Sequence, residues 1–195
     1  MIIKNYIYLM IQKIIALILA VILSPLIAII VLIIFLDDGL PIIYIQKNYG
    51  LNHKPFNLYK FRTMKNNTPE VPTEHFTENY SASYLLTSGN LLRKYSLDEL
   101  PQLFNIIKGE MNFIGPRPCM VNNEEIVKNL REEYGIDKLV PGITGWAQIN
   151  GRDLNSFERK VELDFYYLDN KSIFLDIKIV VKTFYVVLLS KSIKH

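Results

Sequence analysis

An uninterrupted apolar run near the N-terminus constrains this chain more than any other feature. Residues 14–36 carry no charged side chain, and their only polar side chain is Ser24. As a helix rising about 1.5 Å per residue, the run would reach roughly 35 Å, enough for the ~30 Å core of a bilayer. The apolar part of a secretory signal is about 7–15 residues long and ends in small residues. This run is longer and ends in Phe35-Leu36 before two aspartates, which favours a membrane segment over a signal peptide.

A Ser24-Pro25 pair lies in the middle of the run. Because proline lacks an N–H and clashes with the carbonyl four residues earlier, the helix is expected to bend or break there. Two topologies follow: a kinked helix that crosses the membrane, or two half-helices that enter and leave through the same face. Lys4 and Lys13 favour a cytoplasmic start. A crossing helix would place everything after Asp37 outside, whereas a re-entrant one would keep it in the cytoplasm.

Length and composition exclude several classes of protein. At 195 residues the chain is one domain, or one domain with an appendage. A single cysteine, Cys119, excludes an intramolecular disulfide and a Cys-rich zinc module. His53, His75 and His195 are too scattered in the sequence to indicate a metal site. A formal net charge of +3 is too small to indicate nucleic acid as a partner.

Beyond the apolar run, the pattern predicts short strands and helices. Strands are predicted over 42–45 and 56–59, and helices over 91–107 (interrupted near Pro101), 124–134 and 157–167. Loops or turns are predicted over 65–80 and 115–118, and a hairpin-type turn at Asn150-Gly151 after the short run 147–149. The apolar tail over 172–189 is typical either of a buried core helix or of a helix at the membrane interface. Five lysines and one acid from Lys171 onward would suit an anionic leaflet.

Basic and acidic residues in Gly- and Pro-rich surroundings are the candidates for chemistry. Arginines beside glycines can bind phosphate, and the basic candidates are Lys60, Arg93, Arg117 and Arg152. The adjacent carboxylates of Asp98 and Glu99 could divide the work, one as a nucleophile and one as a ligand of Mg²⁺.

A structural alternative exists for the acidic pair. Ser96-Leu97-Asp98-Glu99 matches a capping box, in which acids favour the first turn of a helix. Pro101 is disfavoured with Ser96 as the cap and tolerated with Asp98 as the cap. The capping and catalytic interpretations can coexist, because a helix N-terminus keeps a carboxylate ionised and attracts phosphate.

Five motifs, in this order, resemble those of the bacterial sugar transferases. They are KFRTM at 60–64, SLDELPQLFN at 96–105, KGEM at 108–111 leading to GPRP at 115–118, PGITGWAQ at 141–148, and NGR at 150–152. The family comprises monotopic phosphoglycosyl transferases, which start lipid-linked glycan synthesis. The length resembles that of the short members, such as the initiating transferase of bacillosamine-type protein glycosylation. The resemblance runs from about residue 14 to the C-terminus.

The resemblance implies an enzyme with a two-step reaction. Asp98 would attack the β-phosphorus of a UDP-sugar, expel UMP and carry the phosphosugar until polyprenol phosphate takes it. Glu99, with Asp98 sharing, would hold Mg²⁺, while the four basic candidates would contact phosphate and nucleotide. The competing hypothesis is a non-enzymatic membrane-anchored scaffold of a glycan-assembly complex. A transferase that moves only the sugar and releases UDP is a third, weaker one.

The resemblance also implies a fold and a location. We expect an α+β monotopic membrane protein, with a re-entrant broken helix over 1–36 and a catalytic domain with short strands and amphipathic interfacial helices over 37–195. Ser24 and Pro25 lie where the family breaks its membrane helix. Since nucleotide sugars are cytosolic, the expected location is the cytoplasmic face of the bacterial inner membrane, in contact with lipid. A homo-oligomer is left open.

Two positions depart from the family pattern. Asn48 stands where the family often has an arginine in Gln-x-Arg-x-Gly, which puts a phosphate role for that loop in doubt unless Lys47 substitutes. Phe157 stands where tryptophan is common.

Overall fold

A computed structural model describes residues 2–68, 83–121, 125–151 and 156–188 of the chain. It confirms the α+β class, with helices predominating over two small sheets. The α-helices are α1 (Ile2–Ile22), α2 (Ser24–Asp38), α3 (Gly89–Lys94), α4 (Gln102–Lys108), α5 (Glu125–Glu133), α6 (Trp146–Ile149), α7 (Phe157–Asp169) and α8 (Ile173–Leu188). The strands are β1 (Ile43–Tyr49), β2 (Pro55–Phe61), β3 (Asn112–Ile114) and β4 (Gly142–Thr144), and short 3₁₀ helices cover Leu51–His53, Leu97–Glu99 and Ile136–Lys138.

The N-terminal apolar run bends at the expected position. Ile7–Ile22 and Ser24–Asp38 meet at an angle of 62°. Because Pro25 has no N–H, the carbonyl of Val21 loses its helical donor, and the Ser24 hydroxyl donates to that carbonyl at 2.8 Å instead. In the described part of the chain no single helix is long and apolar enough to cross a membrane, although this bent pair is, by length and composition.

The strands form two separate sheets. β1 and β2 pair antiparallel, with Ile43 opposite Phe61 and Tyr49 opposite Pro55, and both strands are longer than predicted. β3 and β4 pair parallel, with Asn112 beside Gly142. The hairpin-type turn predicted at Asn150-Gly151 is wrong, because residues 146–149 form a short helix. Most of the loop predicted over 65–80 lies outside the described residues.

Both N-terminal helices pack against the rest of the chain. Ala16 of α1 joins a buried cluster with Leu58, Leu103, Ile106 and Met111. On α2, Ile30 and Ile34 join a second cluster, which contains Phe61, Leu86 and Leu92. Residues from both sides of position 36 pack together in these two clusters. The division into a membrane part over 1–36 and a catalytic domain over 37–195 therefore stays a prediction.

Arg62 forms hydrogen bonds that join the end of α2 to the end of β2. Its Nε donates to the Pro41 carbonyl at 2.6 Å, one terminal nitrogen donates to the Gly39 carbonyl at 2.8 Å, and the other donates to the Asp38 carboxylate. The side chain is buried. The arginine of the KFRTM motif is thus structural, whereas its neighbour Lys60 lies towards the site described below.

The C-terminal helix has one buried face and one exposed apolar face. Leu175 and Ile179 of α8 are buried with Tyr167 and Ile149, so one face is core. The other face is apolar and exposed: Phe174 is 85% exposed, and Ile177, Val181 and Phe184 are also exposed. A wholly buried core helix is therefore excluded.

Candidate functional site

The two adjacent carboxylates lie on a 3₁₀ turn and do not cap a helix. Ser96 has a left-handed backbone (φ 54°), and its side chain makes no capping hydrogen bond. Pro101 occupies the N-cap position of α4, also without a side-chain cap. The capping-box interpretation of 96–99 is therefore wrong, because the proline makes the regular helix begin after it. The carboxylates of Asp98 and Glu99 are left for other contacts.

Glu99 is the more deeply buried member of the pair. The residue is 6% exposed, and Arg117 Nη1 donates to its Oε1 at 3.1 Å. Arg117 comes from the Gly115-Pro116-Arg117-Pro118 segment, which ends β3 as predicted and continues without regular structure. The ion pair thus joins the acidic turn to the Pro-Arg-Pro loop across 18 residues of sequence.

Lys60 and Arg93 complete a cationic surround for Asp98. Asp98 interacts electrostatically with Lys60, Arg93 and Arg117, and Arg93 Nε donates to the Thr63 hydroxyl at 2.9 Å. Burial, followed by the charge of Glu99, raises the pKa of Asp98 to about 6 despite these cations. Burial, followed by the charge of Arg117, lowers the pKa of Lys60. Three cations therefore face two carboxylates.

Hydrogen bonds between α4 and β2 fix the positions of Lys60 and the acidic turn relative to each other. Asn105 is fully buried, its amide donates to the Asn57 carbonyl at 2.7 Å, and its Oδ1 accepts from the Tyr59 N–H at 3.2 Å. Since Lys60 follows Tyr59 on β2 and α4 follows the acidic turn, Asn105 fixes the lysine relative to Asp98. Arg152 lies outside the described residues, so its assignment to the site stays a prediction.

Glycines allow the two motif loops to touch. A Cβ on Gly142 would lie 2.1 Å from the Gly115 nitrogen, and a Cβ on Gly145 would lie 2.1 Å from the Gly115 carbonyl oxygen. Real side chains do not tolerate such approaches, so only glycine fits. The backbones are joined by hydrogen bonds from Gly115 N to Thr144 O and from Gly142 N to Pro116 O, each 2.9 Å. The PGITG loop is thereby brought against the loop that carries Arg117.

Two further candidates, Arg131 and Gln148, have no role assigned from the sequence, although Gln148 ends the PGITGWAQ motif. Arg131, in the charged helix predicted over 124–134, is buried, and its Nη1 donates to the Arg117 carbonyl at 2.8 Å while its Nη2 donates to Asp164 at 2.6 Å. Gln148 is buried beside Glu99 and Arg117 in one groove. Both depend on contacts between distant segments, which periodicity does not reveal.

Asn48 has a structural role. Its side chain is buried, and its amide donates to the Pro118 carbonyl at 3.1 Å. Residue 48 therefore supports the Pro-Arg-Pro loop from within β1. Lys47, considered as a substitute cation, is exposed on the same strand.

The acidic pair is a fitting donor set for magnesium. In the described ranges, no group of three or more His, Cys, Asp or Glu side chains could hold a metal ion. Mg²⁺, however, commonly takes only one or two carboxylates and completes its shell with water and substrate phosphates. Burial, followed by the charge of Glu99, raises the pKa of Asp98, and a divalent cation would relieve the repulsion between the two carboxylates.

Comparison with known sequences decides the family. A family profile described as bacterial sugar transferase matches residues 3–190 of the chain. The chain belongs to the bacterial sugar transferase family.

Similar proteins cover the greater part of the chain. EpsL of Bacillus subtilis, named an uncharacterized sugar transferase, is 41% identical over 84% of this chain and 78% of its own length. The exopolysaccharide production protein ExoY of Sinorhizobium fredii is 39% identical over 79% of this chain and 73% of its own length. A UDP-glucose:undecaprenyl-phosphate glucose-1-phosphate transferase of Escherichia coli is 42% identical over 73% of this chain, which spans 32% of that longer protein.

Proposed function

We propose that this enzyme transfers a sugar-1-phosphate from a UDP-sugar to polyprenol phosphate and releases UMP. The observation that carries the proposal is the placement of Asp98 beside Glu99, with Lys60, Arg93 and Arg117 around it. Two phosphates and an anionic nucleophile can meet only where positive charge offsets their repulsion. The name of the Escherichia coli relative contains both the donor and the acceptor of such a reaction.

The first step forms a bond to Asp98. A carboxylate oxygen of Asp98 attacks the β-phosphorus of the UDP-sugar, and the bond between this phosphorus and the bridging oxygen breaks. The bridging oxygen leaves with the electron pair as part of UMP, so an aspartyl phosphosugar remains on the enzyme. Lys60, Arg93 and Arg117 offset the charge on the phosphate oxygens.

The second step returns Asp98 to its starting state. A phosphate oxygen of the polyprenol phosphate attacks the same phosphorus, and the carboxylate of Asp98 leaves. The product is polyprenyl-diphosphate-sugar. Glu99, held by Arg117, is the proposed Mg²⁺ ligand with Asp98 sharing, and the ion would supply positive charge against the phosphate oxygens.

A membrane-bound acceptor is consistent with the exposed apolar surface. The outer faces of α1 and α8 present large apolar side chains, among them Ile7, Met10, Phe174 and Phe184. We propose that these faces lie in the cytoplasmic leaflet of the bacterial inner membrane and that the bend at Ser24-Pro25 makes the N-terminal pair re-entrant.

Isotope-labelled substrates test the reaction directly. Detergent-purified full chain is incubated with a panel of UDP-sugars and Mg²⁺, with and without polyprenol phosphate, and the released nucleotide is identified. We expect UMP from at least one sugar and no UMP from Asp98→Asn, since the amide is a poor nucleophile. Asp169→Asn is the matched control, because Asp169 is exposed on α7.

Each other result identifies a different function. UMP release undiminished in Asp98→Asn would remove Asp98 as the nucleophile. UDP in place of UMP would indicate transfer of the sugar alone. No nucleotide release with any sugar would favour the scaffold hypothesis.

A further inference from the structure

A groove next to the acidic turn has one polar end and one apolar end. Glu99 and Arg117 line its polar end, together with Gln148 and Thr144. Ile143, Val186 and Val187 line the rest, the two valines coming from the last turn of α8. The groove therefore connects Glu99, the carboxylate adjacent to Asp98, with the helix whose outer face is apolar and exposed.

Gln148 is the polar group in this groove that the fold itself does not use. It is 8% exposed, and within the described part of the chain neither its Nε2 nor its Oε1 has a hydrogen-bond partner. Buried polar groups are nearly always paired, because an unpaired one loses its hydration without compensation. An unpaired amide that lines a groove beside Arg117 points to a polar ligand group at that position.

A hydrogen bond joins two elements that line the groove. The hydroxyls of Thr144 on β4 and Thr183 on α8 are 2.7 Å apart, and Thr183 also donates to the Ile179 carbonyl at 2.8 Å. Ile179 is buried in the core. Val186 and Val187 follow within one helical turn of Thr183, so their position relative to Gln148 is set by the fold.

We propose that this groove binds the acceptor, with the phosphate of polyprenol phosphate between Gln148 and Arg117 and its first isoprene units against Val186 and Val187. The inference rests on the proposed function and names its second substrate site. An anionic head on a hydrocarbon chain matches a cationic polar end that continues into an apolar one. A nucleotide sugar has no part of its structure that would use the two valines and the exposed face beyond them.

Gln148→Met tests the polar end. The methionine is similar in size and removes only an amide that the fold does not pair, so thermal stability is expected to stay equal or rise. The KM for polyprenol phosphate is expected to rise at least tenfold. The KM for the UDP-sugar and the UMP released in a single turnover without acceptor are expected to change less than twofold.

Val187→Trp tests the apolar end by filling it. The matched control is Val181→Trp on the same helix, because Val181 is exposed and does not line the groove. Only Val187→Trp is expected to raise the KM for polyprenol phosphate, again by at least tenfold.

Two results would contradict the acceptor groove. If either groove variant instead raised the KM for the UDP-sugar, the groove would bind the donor; if neither changed the KM for polyprenol phosphate, the groove would have a structural role only. Either result overturns the proposal.

A binding measurement separates this proposal from the proposed reaction. Titration of the detergent-solubilised full chain with a short-chain polyprenol phosphate measures affinity without turnover. Tenfold weaker binding in Gln148→Met and Val187→Trp would support the groove even if no UMP were ever released, in which case the proposed function alone would fail. Equal binding by all variants would overturn the groove even if the reaction proceeds.

Discussion

Arg131 holds the backbone of Arg117 in place and does not itself line the groove. Its guanidinium bonds both the Arg117 carbonyl and the Asp164 carboxylate, and it links α5 and α7 to the Pro-Arg-Pro loop. Both charged side chains are buried. Removing one partner of a buried ion pair leaves the other charge buried without compensation. The resulting loss of stability is larger than the net stability that the intact pair contributes.

Arg131→Met is therefore expected to lower the free energy of unfolding by about 3–5 kcal/mol and to reduce UMP release. Urea unfolding in detergent, followed by the fluorescence of Trp146, the single tryptophan, measures the first effect. Arg159→Met is the control: its pair with Glu162 is 58% and 64% exposed, and such pairs contribute about 1 kcal/mol or less. Equal losses in the two variants would contradict the buried role of Arg131.

Most of the site could be predicted at the residue scale, and the exceptions share a cause. Charged residues in Gly- and Pro-rich surroundings, together with the resemblance to the family, single out Asp98, Glu99, Lys60, Arg93 and Arg117, and the structure brings these five together. The sequence assigns no role to Arg131 or to Gln148, although Gln148 ends the PGITGWAQ motif. Their significance depends on what segments distant in sequence place around them, and an arginine in a charged helix or a glutamine in an apolar run looks ordinary.

At the scale of elements, the approach of two loops depends on glycines at the contact. An alanine at 142 would put its Cβ 2.1 Å from the Gly115 nitrogen, so the loops must separate and lose the hydrogen bonds between them. Gly142→Ala is expected to cost at least about 3 kcal/mol in unfolding free energy and to lower UMP release more than tenfold.

Gly135→Ala calibrates that expectation. Gly135 has φ of +69°, but in the described part of the chain a Cβ added there would have no atom within 4 Å besides those of Gly135 and its two chain neighbours, so only backbone strain of about 1–2 kcal/mol is expected. Urea unfolding of both variants gives the comparison. A Gly142→Ala variant no less stable than Gly135→Ala would show that the loops are not in close contact.

The elements themselves were predictable where a local residue decides them. Pro25 decides the bend between α1 and α2, and Pro116 and Pro118 flank the loop after β3. The ends of β1 and β2 were not predictable, because they depend on the pairing of Ile43 with Phe61 and of Tyr49 with Pro55. The short helix at 146–149 was not predictable for a similar reason, because a four-residue apolar run is compatible with a strand as well as with a helix.

At the scale of the whole molecule, the exposed apolar faces require an explanation that the core does not provide. α1 buries one side against β2 and α4, and α2 buries one side against β2 and α3, while Ile14, Ile18, Leu32 and Leu36 remain exposed. Apolar patches this extensive usually mark contact with a partner or a membrane. The re-entrant proposal assigns them to lipid and keeps the rest of the chain on the cytoplasmic side.

Cysteine labelling tests that topology. Glu133→Cys places a thiol at the exposed end of α5, whereas the native Cys119 is buried and gives the background. With an impermeant thiol reagent, we expect labelling of the Glu133→Cys variant in permeabilised cells and none in intact cells.

A second substitution, Pro25→Ala, added to Glu133→Cys, restores an N–H to the Val21 carbonyl, and a straight helix over residues 7–38 would reach about 48 Å. It is expected to cross the bilayer and expose the thiol, while Ser24→Ala, which keeps the proline, leaves it protected. Labelling of intact cells without any change at Pro25 would refute the re-entrant arrangement, because the catalytic part would then lie outside.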